Sequence, residues 1–190
     1  MYVRLDNDDP ELETIKNLSW PEEFEIHVGP RIGLSRSLNE VFEQYPDQPW
    51  YGLLADDLEP STLHWDQLLV DRAGSWDISY PNDGAPVDSP THPCIGGKLV
   101  WTIGWLGFPP CYHFFTDTIW QYIGGHLNNI YRLDNITVEH LHYSLNKATK
   151  DQIYMESTEK WKQDKRSYRD WIETNGELLI QQLQRDIYNS

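Results

Sequence analysis

Residues 50–60, WYGLLADDLEP, hold the most informative pattern in this sequence. Four residues of strand character, 51–54, lead through Ala55 into two adjacent carboxylates, Asp56 and Asp57, and a Glu-Pro turn follows. Open α/β sheets bind ligands at the carboxyl ends of their strands, and adjacent carboxylates repel each other unless a cation lies between them. Oxygen ligands of this kind suit Mg²⁺ or Mn²⁺. The alternative is a solvated turn after an ordinary strand.

Strand and helix patterns alternate on both sides of this segment. The predicted strands are 2–5, 24–28, 51–54, 76–80 and 132–142, and the predicted helices are 11–18, 34–45, 62–73 and 118–127. Residues 95–105 are expected to be a strand that leads into a helix. This order predicts an α/β fold with a mostly parallel sheet flanked by helices. The long loop 81–93 is rich in Pro, Asp, Asn and Gly, and such loops are usually functional or mobile.

The C-terminal part of the chain differs in composition. Glu, Lys, Gln and Arg dominate residues 151–189, and apolar residues recur there at helical spacing with an interruption near Asn175 and Gly176. We therefore divide the chain into a main domain, 1–154, and a C-terminal helical extension, 155–190. The two predicted helices of the extension are expected to pack on their own domain or on a second copy of the chain, as a homodimer.

Composition excludes several classes of protein. The chain has 15 Lys and Arg against 30 Asp and Glu, and this net charge of -15 disfavours non-specific binding to nucleic acid. Its two cysteines, Cys94 and Cys111, lack the spacing of a zinc site or a disulfide framework. The sequence shows no membrane segment and no leader, so we expect a cytoplasmic protein. Nine Trp and eleven Tyr are compatible with stacking on sugars or bases.

Five segments occur in a distinctive order. They are RLDNDDP (4–10), GPRIGLSRSLNEVF (29–42), YGLLADDLEP (51–60), FTDTIW (115–120) and VEHLH (138–142). This order resembles the family 2 type glycosyltransferases of the GT-A fold, the nucleotide-diphospho-sugar transferases, over roughly residues 2–154. The resemblance implies a nucleotide-sugar donor, for which a UDP-sugar is the first expectation, an acceptor hydroxyl and a Mn²⁺ or Mg²⁺ ion.

The resemblance also implies roles for individual residues. The positions matching the donor-binding segments of the family are Asp6, Asp8, Gly33, Arg36, Asn39 and Asp56. The positions matching its metal ligands are Asp56, Asp57 and one of the two histidines His140 and His142. An acid before a late helix is the base in inverting members, and Asp117 occupies that position.

The chemistry of these residues supports the same roles without the family name. A divalent ion at Asp57 would neutralise a leaving diphosphate, and Asp117 lies between apolar neighbours that would raise the pKa of a base. Each residue has an ordinary alternative, since Asp is a preferred helix cap and a histidine is often satisfied by a backbone carbonyl.

One departure from the family leaves a second function open. The family's first strand and first helix precede the strand at 2–5 and have no counterpart in this sequence. We therefore keep a catalytically reduced GT-A module that binds a nucleotide or a protein as an alternative. A nucleotidyltransferase or phosphohydrolase is disfavoured, because the sequence has no Gly-rich phosphate loop followed by Lys.

Overall fold

The computed structural model describes residues 1–84, 88–141 and 152–189. The strands are β1 (Tyr2–Asp6), β2 (Glu25–Gly29), β3 (Trp50–Gly52), β4 (Leu58–Pro60), β5 (Ile78–Asn82), β6 (Cys94–Gly96) and β7 (Ile130–His140). The helices are α1 (Leu12–Lys16), α2 (Leu34–Gln44), α3 (Trp65–Ala73), α4 (Gly97–Ile103), α5 (Thr116–Leu127), α6 (Gln152–Trp171) and α7 (Glu177–Tyr188). No helix in these described segments is long and apolar enough to cross a membrane.

The strands form two sheets. β1 and β2 make a parallel pair, and the second sheet has the order β3-β6-β5-β7-β4. In that sheet β5 and β7 are parallel, while the pairings β3–β6, β5–β6 and β4–β7 are antiparallel. The expected α/β class is confirmed, but the main sheet is mixed rather than mostly parallel. The reason lies in loop 83–93, which contains no described crossover helix, so that β6 returns antiparallel beside β5.

Helices cover both faces of the main sheet, as the alternation of side chains shows. Ile78 and Ile95 point into a large core shared with α2, α4, α5 and α7. Their neighbours Ser79 and Cys94 face the other way, where the Ser79 hydroxyl donates to a carbonyl of α3 and Cys94 joins a smaller core under α3. Because side chains alternate along a strand, each short strand contributes to both cores.

The passage from β6 into α4 requires the glycine pair Gly96 and Gly97. A Cβ on Gly96 would lie 2.3 Å from the backbone carbon of Ser75, and one on Gly97 would lie 1.9 Å from the backbone oxygen of Gln48. Larger residues would therefore push the chain away from its neighbours. The close approach of backbones explains two adjacent glycines at this junction.

The C-terminal extension packs on its own domain. Ile180 and Leu183 of α7 are buried in the large core, and Trp171 at the end of α6 meets the Phe108 ring edge-on, with centroids 5.1 Å apart. α6 and α7 are joined by a π-helical turn, Ile172–Gly176, at the interruption that the sequence shows. The extension is therefore part of the hydrophobic core.

Truncating Leu183 tests this packing. Leu183 is fully buried, whereas Leu178 on the same helix is 66% exposed. We expect Leu183→Ala to lower the free energy of unfolding by about 2–5 kcal/mol, because the substitution leaves a cavity. The matched control Leu178→Ala should change it by less than about 0.5 kcal/mol. Urea denaturation measures both, and equal losses would contradict the packing described.

Candidate functional site

Strand direction brings four functional side chains to one edge of the main sheet. β5 and β7 run the same way, so the residues at their carboxyl ends meet at that edge, and β4 begins there because it is antiparallel to β7. Asp57 directly precedes β4, Asp83 directly follows β5, and His140 ends β7. β6 runs in the opposite direction, so its approach from loop 83–93 brings His92 to the same edge.

His140 lies between two carboxylates. Its Nε2 is 3.2 Å from Asp57 Oδ2, and its Nδ1 is 3.5 Å from Asp83 Oδ2. The three side chains are 14%, 19% and 9% exposed, respectively. The amide of Leu141 donates to the backbone oxygen of Asp57, and the Thr91 hydroxyl donates to Asp83. Backbone pairing of β7 with the start of β4 therefore sets the distance between His140 and Asp57.

His92 completes a group of three potential metal ligands. Asp57, His92 and His140 each offer one ligand atom, and these atoms lie within 4.8 Å of one another. The rings of His92 and His140 meet edge-on, with centroids 4.9 Å apart. The Nε2 atom of His92 is buried and has no hydrogen-bond partner among the described residues. A buried polar atom without a partner is costly, and a bound ion would satisfy it.

The two histidines have opposite pKa shifts. Hydrogen bonds to Asp57 and Asp83 raise the pKa of His140 to about 9, against a smaller lowering by burial. Burial lowers the pKa of His92 to about 4, and the nearby His140 adds to this lowering. At neutral pH the cluster therefore holds one positive charge, on His140, between two carboxylates. The neutral His92 ring has the protonation state that a metal ligand requires, whereas His140 would have to release a proton for an ion to bind.

The donor set fits a transition metal better than Mg²⁺. Two imidazole nitrogens and one carboxylate oxygen are typical ligands of Zn²⁺, Fe²⁺ or Mn²⁺, whereas Mg²⁺ prefers oxygen ligands alone. Of the two ions expected from the sequence, Mn²⁺ is the one that suits these residues. Three protein ligands also leave coordination positions for water or a substrate.

The structure brings together part of the predicted metal set. Asp57 and His140 are in contact as expected, while Asp56 is exposed on the turn and is not a member of the cluster. His142 lies outside the described residues. His92 and Asp83 were not identified from the sequence, although they lie near the two ends of the polar loop 81–93, which was predicted to be functional or mobile.

Asp117 is connected to the same loop. It is the second residue of α5, and its Oδ2 accepts a hydrogen bond of 2.9 Å from the Ser89 hydroxyl. Its Oδ1 accepts from the amide of Thr118 at 2.7 Å. One turn further along α5, the Gln121 amide donates to the backbone oxygen of Asp88. Loop residues 88–92 therefore extend from Asp117 to His92, and Asp117 also bonds the amide of its neighbour in the helix.

The acids predicted to contact the nucleoside form ion pairs within the chain. Asp6, at the end of β1, has its Oδ2 3.2 Å from Arg31 Nη1, and Arg31 also donates to both oxygens of Asp8 at 2.9 and 3.2 Å. These hydrogen bonds lower the pKa of Asp8. Arg31 therefore neutralises part of the acidic turn that follows β1.

The predicted donor-binding residues of the second segment have different surroundings. The Asn39 amide bonds the backbone of Leu106 and Gly107 at 2.8–2.9 Å, which ties α2 to the chain after α4. Gly33 has a φ of 84° and packs against Tyr112, where a Cβ would lie 2.5 Å from the backbone oxygen. Arg36 is exposed and lines a cavity of about 210 Å³.

Comparison with known proteins adds no assignment. No known protein family matches the chain, and searches of curated proteins and of solved structures also found no match. The geometry of the site and the order of the sequence segments are therefore the basis for assigning its function.

Removing one imidazole tests the candidate metal centre. We expect Mn²⁺ to bind the wild-type protein and His92→Gln to weaken its affinity by at least about tenfold, because the ring nitrogen is lost as a ligand. His126→Gln, at an exposed histidine of α5, is the matched control and should bind as the wild type does. Isothermal titration calorimetry measures all three. Equal affinities in the three proteins would show that His92 is not a ligand.

Proposed function

We propose that the chain is a divalent-metal-dependent glycosyltransferase that moves a sugar from a nucleotide-sugar donor to an acceptor hydroxyl. The observation that carries the proposal is the meeting of Asp57, His92 and His140 at the edge where the parallel strands end. Support for the donor class comes from the order of the five sequence segments. A UDP-sugar donor and a cytoplasmic location belong to the same proposal.

The residues of the site fit the two requirements of this reaction. A divalent ion bound there would neutralise charge on the departing diphosphate. Asp57 and Asp83 supply negative charge for cation binding, and the partly buried positions of His92 and His140 limit access of water. Asp117 would accept the proton of the acceptor hydroxyl, with the Thr118 amide holding one oxygen and the Ser89 hydroxyl occupying the other until acceptor binds.

A second candidate function has an observation in its favour. Arg31 pairs with Asp6 and Asp8, and the Asn39 amide is engaged with backbone groups. Three of the residues that the resemblance assigns to donor binding thus have partners inside the chain. This arrangement favours the alternative of a catalytically reduced GT-A module, and within it the binding of a protein over that of a nucleotide, because the side chains assigned to the nucleotide donor are already engaged.

Thermal shift with nucleotide sugars tests donor binding. We expect Mn²⁺ together with the correct donor to raise the melting temperature above that with Mn²⁺ alone, since a ligand at 100 times its Kd adds about 2.7 kcal/mol of stability. Asp57→Asn should abolish the extra increase. If no nucleotide or nucleotide sugar gives an increase at any Mn²⁺ concentration, the proposal of a donor site fails.

The role of Asp117 separates the two candidate functions. We expect Asp117→Asn to lower turnover in a transfer assay by on the order of 10², because the amide cannot accept the proton, and to leave donor binding unchanged. Asp66→Asn is the matched control, since Asp66 is an exposed acid in the first turn of α3. Donor binding without any transfer in the wild type would favour the reduced module. Normal turnover in Asp117→Asn would exclude Asp117 as the base.

A further inference from the structure

We infer that Asp164 of α6 is a positioning residue whose carboxylate fixes loop 111–115 and, through it, the first turns of α2 and α5. Its effect on the placement of Asp117 rests on the function proposed above. The inference gives the C-terminal extension a part in forming the site, in addition to its place in the core.

Asp164 is buried and accepts three hydrogen bonds from successive backbone amides. Only 1% of the surface of Asp164 is exposed. Its Oδ1 accepts from the amide of Tyr112 at 2.9 Å, and its Oδ2 accepts from the amides of His113 and Phe114 at 2.9 and 3.0 Å. A buried carboxylate needs such donors, and the three amides need an acceptor because they lie in an irregular segment with no strand or helix partner. Bonds of this charged kind are stronger than those between neutral groups.

The loop held by Asp164 contacts the starts of two helices. The backbone oxygen of Tyr112 accepts from the amide of Ser35 in the first turn of α2, at 3.2 Å. The hydroxyls of Ser35 and Thr116 lie 3.2 Å apart, which links the first turn of α2 to that of α5. Movement of Tyr112 would therefore disturb both helix starts.

The same loop sets the direction in which α5 begins. Phe115 follows the three bonded amides and has a φ of 71°, an uncommon backbone conformation for a residue with a side chain. Asp117 comes two residues later and is bonded to Ser89. Because the amides bonded by Asp164 immediately precede this turn, Asp164 controls where the Asp117 carboxylate stands relative to loop residues 88–92.

The two cysteines provide a direct measurement of the loop. The thiol of Cys111 donates to the backbone oxygen of Asp164 at 3.4 Å, and Cys94 is buried elsewhere, in the core under α3. Burial raises the pKa of both thiols to about 12, so both react slowly while the protein stays closed. Local loosening of the loop would expose Cys111 alone, whereas global unfolding would expose both.

The experiment compares thiol modification in wild type, Asp164→Asn and Asp170→Asn. We expect Asp164→Asn to speed the reaction of Cys111 with a thiol reagent by about tenfold or more, as loss of a charged hydrogen bond predicts, and to leave Cys94 unchanged. Asp170, exposed on the same helix, is the matched control and should have no effect. Unchanged Cys111 reactivity, or equal acceleration of both cysteines, would overturn the inference.

Two further measurements complete the test. Hydrogen exchange can be measured on the wild-type protein, so it does not depend on whether a variant folds. We expect the amides of Tyr112, His113 and Phe114 to exchange slowly, and rapid exchange would overturn the inference. In an active protein, Asp164→Asn should lower kcat by about 10- to 100-fold while Mn²⁺ affinity and the KM for donor stay constant. If Asp164→Asn loosens the loop but leaves kcat unchanged, Asp164 does not act on catalysis through Asp117. If the wild type shows no transfer, the proposed function fails alone, because the cysteine and exchange measurements still decide the role of Asp164.

Discussion

The parallel pairing of β5 with β7 is the constraint on which the candidate site depends. The two strands pair from Ile78 opposite Ile130, and a register shift after Pro81 places Asn82 opposite Thr137, which brings Asp83 beside His140. The antiparallel neighbours β4 and β6 then supply Asp57 and His92 from the opposite strand direction. A mixed sheet can therefore collect ligands at one edge from both the ends and the beginnings of its strands, which a purely parallel sheet does only from the ends.

Long-range hydrogen bonds from side chains to backbone hold the irregular parts of the chain around this sheet. Asn39 binds the segment after α4, Asp164 binds the loop before α5, and the Asn129 amide donates to the backbone oxygen of Trp76. Each of these side chains contacts a segment with few regular backbone bonds of its own. Because buried amides and carbonyls must be paired, one amide or carboxylate replaces the partners that a neighbouring strand or helix would provide.

Local patterns in the sequence were sufficient to predict most of the helices and strands and the acids at their ends, but β4 forms where a Glu-Pro turn was predicted. Asp57 and His140 were identified from their places after or at the end of a strand pattern, but their contact depends on the antiparallel pairing of β4 with β7, which was not predicted. His92 and Asp83 were not predictable, because their contact depends on β6 returning antiparallel, which neither periodicity nor composition reveals. Asp164 is one acid in a strongly charged helix, and sequence alone does not distinguish a buried carboxylate there from a solvated one. A mostly parallel sheet was predicted, but the sheet is mixed because the three-residue strand β6 lies between β3 and β5 and is antiparallel to both.

The π-helical turn Ile172–Gly176 sets the rotational phase of the last helix. A π turn contains one residue more than the α-helical turn it replaces, and each residue advances a helix by about 100°. The extra residue directs Ile180 and Leu183 into the core while Leu178 faces solvent. Gly176 is buried there, and a Cβ would lie 2.8 Å from the Tyr122 hydroxyl, so the turn also packs closely against α5. Deleting one residue from this turn would rotate the apolar face of α7 away from the core. The number of residues in the turn is therefore as strictly constrained as the composition of the core.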